Sequence, residues 1–206
     1  MAEMLARRAE SNRVLLSIAY LPPVEYFSLI RRNSGSVFLD ASENYCKQTY
    51  RNRCCILTAN GVEDLLFPII HDGAKKITEL KVDYSTPWVA KTERALDSAY
   101  YSSPFFEYYR DELFALFDSR PESLWELDSS LLAFLCARIG LPVPPATAAG
   151  CVADDADYRN LIHPKKPPVE TNAPYWQVFR ERFGFVPNLS VVDLLFNEGP
   201  ESICYL

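Results

Sequence analysis

The stretch Val14-Leu15-Leu16-Ser17-Ile18-Ala19-Tyr20-Leu21-Pro22-Pro23-Val24-Glu25-Tyr26-Phe27 decides the fold. Arg13 to Tyr20 is apolar enough to read as a buried strand. Pro22-Pro23 then suits the first turn of a helix, where a missing N–H leaves no bond unmade, and Tyr26, Phe27 and Ile30 carry that helix forward. Gly35 closes it. Val37-Phe38-Leu39 follows as a second short buried strand and delivers Asp40 to a strand end, where sheets commonly present chemistry.

Further along, Asn60-Gly61 separates two apolar runs, 52–59 and 62–70, and predicts a hairpin because both turn residues tolerate positive φ. Lys76 to Tyr84 reads as another strand with imperfect alternation. From Pro87 the period becomes helical, and three successive helices follow through Ala95, Leu96, Tyr109, Leu113, Leu127, Leu131 and Leu135. Gly140 sits where a left-handed cap is least strained. Residues 142–174 hold seven of the fifteen prolines and read as an irregular connection, with a lid as one use of it. Short helices over Tyr175–Phe183 and Leu189–Asn197 end the chain. The expectation is a mixed α/β fold: a small central mixed β-sheet with packed helices and a mainly helical C-terminal half. It forms one domain over 1–206, with residues 1–12 frayed.

Composition narrows the function classes. The chain has 206 residues, is 49% apolar and carries a net charge of -6, which argues against a nucleic-acid binder. Its first 60 residues nevertheless hold 8 basic and 5 acidic side chains, against 13 and 22 in the remainder, which favours a local anion site early in the chain. Six cysteines without a Cys-x-x-Cys and two histidines lack zinc spacing, so no metal is expected. Reduced thiols point to the cytosol, and no apolar run approaches the roughly 20 residues that span a bilayer.

The densest polar cluster runs from Asp40 through Glu43, Lys47, Gln48, Arg51 and Asn52 to Arg53. Asp40 and Glu43 are the candidate catalytic carboxylates. Lys47, Gln48, Arg51, Asn52 and Arg53 are candidate binders of an anionic small molecule, because Arg51 and Arg53 alternate along a strand start and offer forked donors. The plain alternative pairs these cations with Asp40 and Glu43 on a solvated hairpin edge. Cys46 beside Lys47 is a candidate thiolate nucleophile, with no histidine next to it to support that role. The aromatic run from Tyr100 to Tyr109 is too broad for one buried helix face, so part of it is exposed or lines a cleft. Near the end, Asp193 and Asn197 are four apart and share a helix face, as further ligand contacts or as local hydrogen-bond formers.

Tyr20-Leu21-Pro22, Phe38-Leu39-Asp40, Lys47-Gln48-Thr49-Tyr50-Arg51-Asn52-Arg53, Ser85-Thr86-Pro87-Trp88, Ser103-Pro104-Phe105-Phe106 and Asn188 through Pro200, taken in order, resemble the WbqC-like protein family. The resemblance implies a place in bacterial surface-polysaccharide gene clusters of the O-antigen type. It also implies a glycine or aminoacyl transferase role, with a nucleotide-sugar or sugar phosphate as partner and no stated cofactor. It carries Asp40, Lys47, Arg51, Asn52, Arg53, Asp193 and Asn197 over as site candidates. A non-catalytic sugar-phosphate-binding or assembly role is the alternative. The chain departs from the family at Leu16-Ser17-Ile18, where many members have His-Gln-Pro, and at Thr92, where some have histidine.

Overall fold

The computed structural model describes residues 13–151 and 155–206. The expected opening is present in shortened form: β1 is Val14–Leu16, α1 is Val24–Arg32 and β2 is Val37–Asp40. β1 and β2 pair in parallel, with Leu15 opposite Phe38. The first strand stops at Leu16 rather than Tyr20, and Ser17 to Leu21 leave the sheet as buried irregular backbone, with Leu21 at φ 40°. Pro23 offers α1 no side-chain cap. The free N–H groups are met from the other end of the chain, where Val24 donates to the Leu189 carbonyl and Glu25 to the Asn188 side chain.

β3 (Arg53–Thr58) and β4 (Gly61–Leu66) form the expected antiparallel hairpin as a separate two-stranded sheet. Thr58 pairs with Gly61, so Ala59 and Asn60 span the turn, and Gly61 alone takes positive φ, at 106°. The strand expected over Lys76–Tyr84 is absent. A single 3-10 turn at Ile77–Glu79 and isolated bridges from Lys81 and Val82 replace it, because Ile77 and Leu80, three apart, both turn into the core.

The three expected helices are α2 (Trp88–Tyr100), α3 (Phe106–Asp118) and α4 (Leu124–Ile139). Ser123 caps α4 by accepting from the Glu126 N–H, and Gly140 ends it at φ 85°. The aromatic run divides as its breadth requires: Tyr100 and Phe106 are buried, whereas Tyr101 and Tyr108 are exposed. Tyr20, Phe67, Trp88 and Phe117 pack largely edge-on in the core between the hairpin and these helices.

The proline-rich segment differs most from its reading as irregular coil. It contributes β5 (Ala146–Thr147) and β6 (Ala156–Asp157), each paired in parallel, and the sheet order becomes β5-β2-β1-β6. The expected mixed sheet is therefore a parallel sheet plus the separate hairpin. Proline stays compatible with such short strands: the Pro145 carbonyl still accepts from Leu39, an acceptor role that needs no N–H. α5 (Arg180–Phe183) is shorter than expected, because Gln177 instead bridges to the backbone of Val186 at both ends of its amide. α6 (Val191–Glu198) completes the helices and is buried over nearly its whole length.

Candidate functional site

Among the four parallel strands, β1 lies between β2, reached through α1, and β6, reached only after the chain has added β5 on the far side. The chain thus leaves β1 in opposite directions, and open parallel sheets place ligands beyond the carboxyl ends of the strands at such a point. Ser17 follows β1, Asp40 ends β2, and Tyr158 and Arg159 follow β6, so parallel pairing brings all four to one edge.

One buried and one part-buried ion pair occupy that edge. Glu43 gives both oxygens to Arg51, at 3.0 Å to Nε and 2.5 Å to Nη2. Ser17 Oγ accepts from Arg51 Nη2 at 2.6 Å and lies 3.0 Å from the second Glu43 oxygen. Arg51 is 3% exposed. Asp40, fully buried, accepts from the Ser42 N–H and hydroxyl through one oxygen and from Arg159 through the other. Arg159 also forks onto Asp157 at 2.9 and 2.7 Å, and that contact holds the Asp157 carboxyl below its usual range. A crevice lies above Ser17 and Arg51, but Tyr158, Arg159 and Ile162 close over it and leave about 10 Å³, at most one water.

The open volume is next door. A groove of about 320 Å³ runs between the segment 45–53 and the end of β4, with Tyr45, Lys47, Gln48, Asn52, Arg53 and His71 supplying its polar lining. That size suits a small ligand. The Tyr45 hydroxyl donates to Asn52 Oδ1, and Asn52 Nδ2 donates to the Phe67 carbonyl, so the groove floor is held by its own hydrogen bonds. Arg53 pairs with Asp64 on the neighbouring strand at 2.8 Å. Lys47 is exposed and forms no ion pair among the described residues.

The expected residues therefore divide into three groups. Lys47, Gln48, Asn52 and Arg53 meet in the groove, joined by His71. Arg51 and Arg53 do not share a face, because residues 51 and 52 form a turn and β3 begins only at Arg53; the inward guanidinium takes Glu43, pairing as the plain alternative held but in the interior. Asp193 and Asn197 lie in the core: Asp193, 1% exposed, accepts from Tyr100, Tyr175 and Gln177, and Asn197 donates to the Asp193 carbonyl. Cys46 is an exposed free thiol whose sulfur, among the described residues, has only the Lys47 carbonyl within bonding range. Sequence reasoning missed Asp157, Arg159 and Lys165, which sit in apparent coil. The only local signal is the acid-x-base spacing of Asp157 and Arg159. Among the described residues no group of three or more His, Cys, Asp or Glu side chains is arranged to hold a metal ion, and no helix is long and apolar enough to cross a membrane.

The family model described as the WbqC-like protein family matches residues 19–165, which take in Asp40, both ion pairs and the groove. No curated protein and no solved structure matches the chain.

Proposed function

Because the chain belongs to the WbqC-like protein family, we propose that it is a transferase of bacterial surface-polysaccharide synthesis, acting in the cytoplasm on an anionic sugar derivative and moving glycine or a similar acyl group onto an amino sugar or nucleotide-sugar. The observation that carries this reading is the groove: it is open, sized for a sugar and its phosphate, and lined by Lys47, Arg53 and His71 with Gln48 and Asn52 as neutral hydrogen-bonding partners. Forked Arg53 and the point charge of Lys47 hold the phosphate, and the amides read the sugar.

In the transfer, the sugar amine attacks the activated acyl carbon, a C–N bond forms, the bond to the activating group breaks, and the amine gives up a proton. Of the two carboxylates, Asp40 suits the role of base better than Glu43, because only one of its oxygens faces a guanidinium while Glu43 gives both to Arg51. Glu43 and Arg51 then act by positioning Ser17 and the turn that carries Asn52 and Arg53. Asp40 is sealed by Arg159, bonded to Ser42 through its other oxygen and absent from the groove lining, so proton transfer requires Arg159 to swing aside and open a path from the groove.

Titration calorimetry with UDP-N-acetylglucosamine tests the groove. Lys47→Ala and Arg53→Ala should each weaken binding by about tenfold or more, since a charge-assisted contact is worth about 1.5–3 kcal/mol; affinity equal to wild type in both variants would refute the assignment. The pairing of both carboxylates with guanidinium groups favours a second reading, a sugar-phosphate-binding protein without turnover. Transfer of labelled glycine from an activated glycyl donor to an amino sugar, lost in a folded Asp40→Asn variant, would exclude it.

A further inference from the structure

Beside the groove, at Gln48, a second positive rim reaches in from far along the chain, outside the groove's own lining. Residues 163–166 form a tight turn in which the Lys166 N–H donates to the His163 carbonyl and the Lys165 N–H to His163 Nδ1, both at 3.0 Å. The turn points Lys165 across to the first rim, where its ammonium donates to Gln48 Oε1 at 2.5 Å. Lys165, Lys166 and Lys47 form no ion pair among the described residues: Lys165 meets the neutral Gln48 amide and Lys166 the Asn160 carbonyl, whereas Arg53 keeps its pair with Asp64. Their fields overlap: the His163 imidazole is pushed below its usual value first by burial and then by Lys166, Lys165, Arg51 and Arg53. Gln48 itself sits at φ 60°, in the left-handed region that strains a non-glycine residue and that clusters at ligand clamps.

One phosphate needs only one of these rims. We infer that the ligand of the groove is a nucleoside diphosphate ester, with one phosphate on Lys47 and Arg53 and the next displacing Gln48 Oε1 from Lys165. The inference rests on the groove being the ligand site proposed above. A phosphate oxygen is a charged acceptor where the amide is a neutral one, so the exchange gains a charge-assisted bond and loses a neutral one. The proline-rich segment is then part of the binding site as well as the source of β6.

The test compares UDP with UMP by titration calorimetry at one fixed ionic strength, on wild type, Lys165→Ala and Lys165→Arg. UDP should bind wild type at least about tenfold more tightly than UMP, Lys165→Ala should bring UDP down to the UMP affinity while leaving UMP unchanged, and Lys165→Arg should restore the preference. Equal binding of UDP and UMP by wild type, or an equal loss of both in Lys165→Ala, would overturn the diphosphate assignment while leaving the groove as an anion site. Failure of wild type to bind either nucleotide would remove the groove reading and this one together.

Discussion

Two buried acidic regions of this molecule solve the same problem in different ways. At the sheet edge, Asp40 and Glu43 are compensated by full opposite charge, from Arg159 and Arg51. In the helical half, Asp193 meets only neutral donors, two tyrosine hydroxyls and the Gln177 amide, and burial pushes its carboxyl up to about 6 despite them. Asp128 on α4 carries the trend further, since among the described residues neither of its oxygens has a partner and burial raises it well above the carboxylate range. The difference separates a sheet edge where carboxylates are held by guanidinium partners from a helical core where a carboxyl serves packing. It also explains why the Asp193–Asn197 pair, though four apart on one helix, belongs to the core.

Four expectations break or sharpen that contrast. Glu43→Ala leaves the Arg51 guanidinium buried without its charge partner and should cost about 3–5 kcal/mol in urea unfolding, whereas Glu43→Leu with Arg51→Met should recover most of that. A loss under about 1 kcal/mol would mean that Arg51 finds water or another acceptor. Asp193 should give the next effect. Because burial holds its folded pKa near 6 against about 3.9 unfolded, the folded chain binds this proton more tightly, so the contribution is full below about pH 4 and is lost as pH rises through about 6. The stability of wild type relative to Asp193→Asn should therefore fall by about 3 kcal/mol across that window and stay flat above it, as read by denaturation at a series of pH values. Asp157 has the opposite sign: its contact with Arg159 depresses its pKa, so its contribution is present above the unfolded pKa near 4 and is lost on acidification. Asp128→Leu, last, should raise stability by about 1–3 kcal/mol by removing unpaired buried oxygens, and a loss instead would point to a hydrogen-bonding role for that carboxyl.

How much of this is legible in the sequence depends on the range of the information. The strand, helix and strand from Val14 to Asp40, the hairpin, the three helices and the Gly140 cap follow from periodicity and turn chemistry, all of which act over a few residues. β5 and β6 are two residues each, too short for any period, and they exist because the exposed edges of β2 and β1 supply their partners. That hidden pairing is also why Asp157, Arg159 and Lys165 escape a reading of the sequence. The polar, cation-rich cluster is visible in the sequence, yet its division is not: whether Arg51 turns inward to Glu43 or outward beside Arg53 depends on a turn at 51–52 that alternation along a strand cannot foresee.

The central claim, that the groove between Lys47, Arg53 and His71 receives an anionic sugar derivative, is tested most directly by a crystal structure of the protein with UDP-N-acetylglucosamine bound. The account predicts phosphate density between Lys47 and Arg53, with Lys165 released from Gln48 and turned toward it. Phosphate density elsewhere, with the Lys165–Gln48 contact intact and the groove holding only solvent, would contradict it.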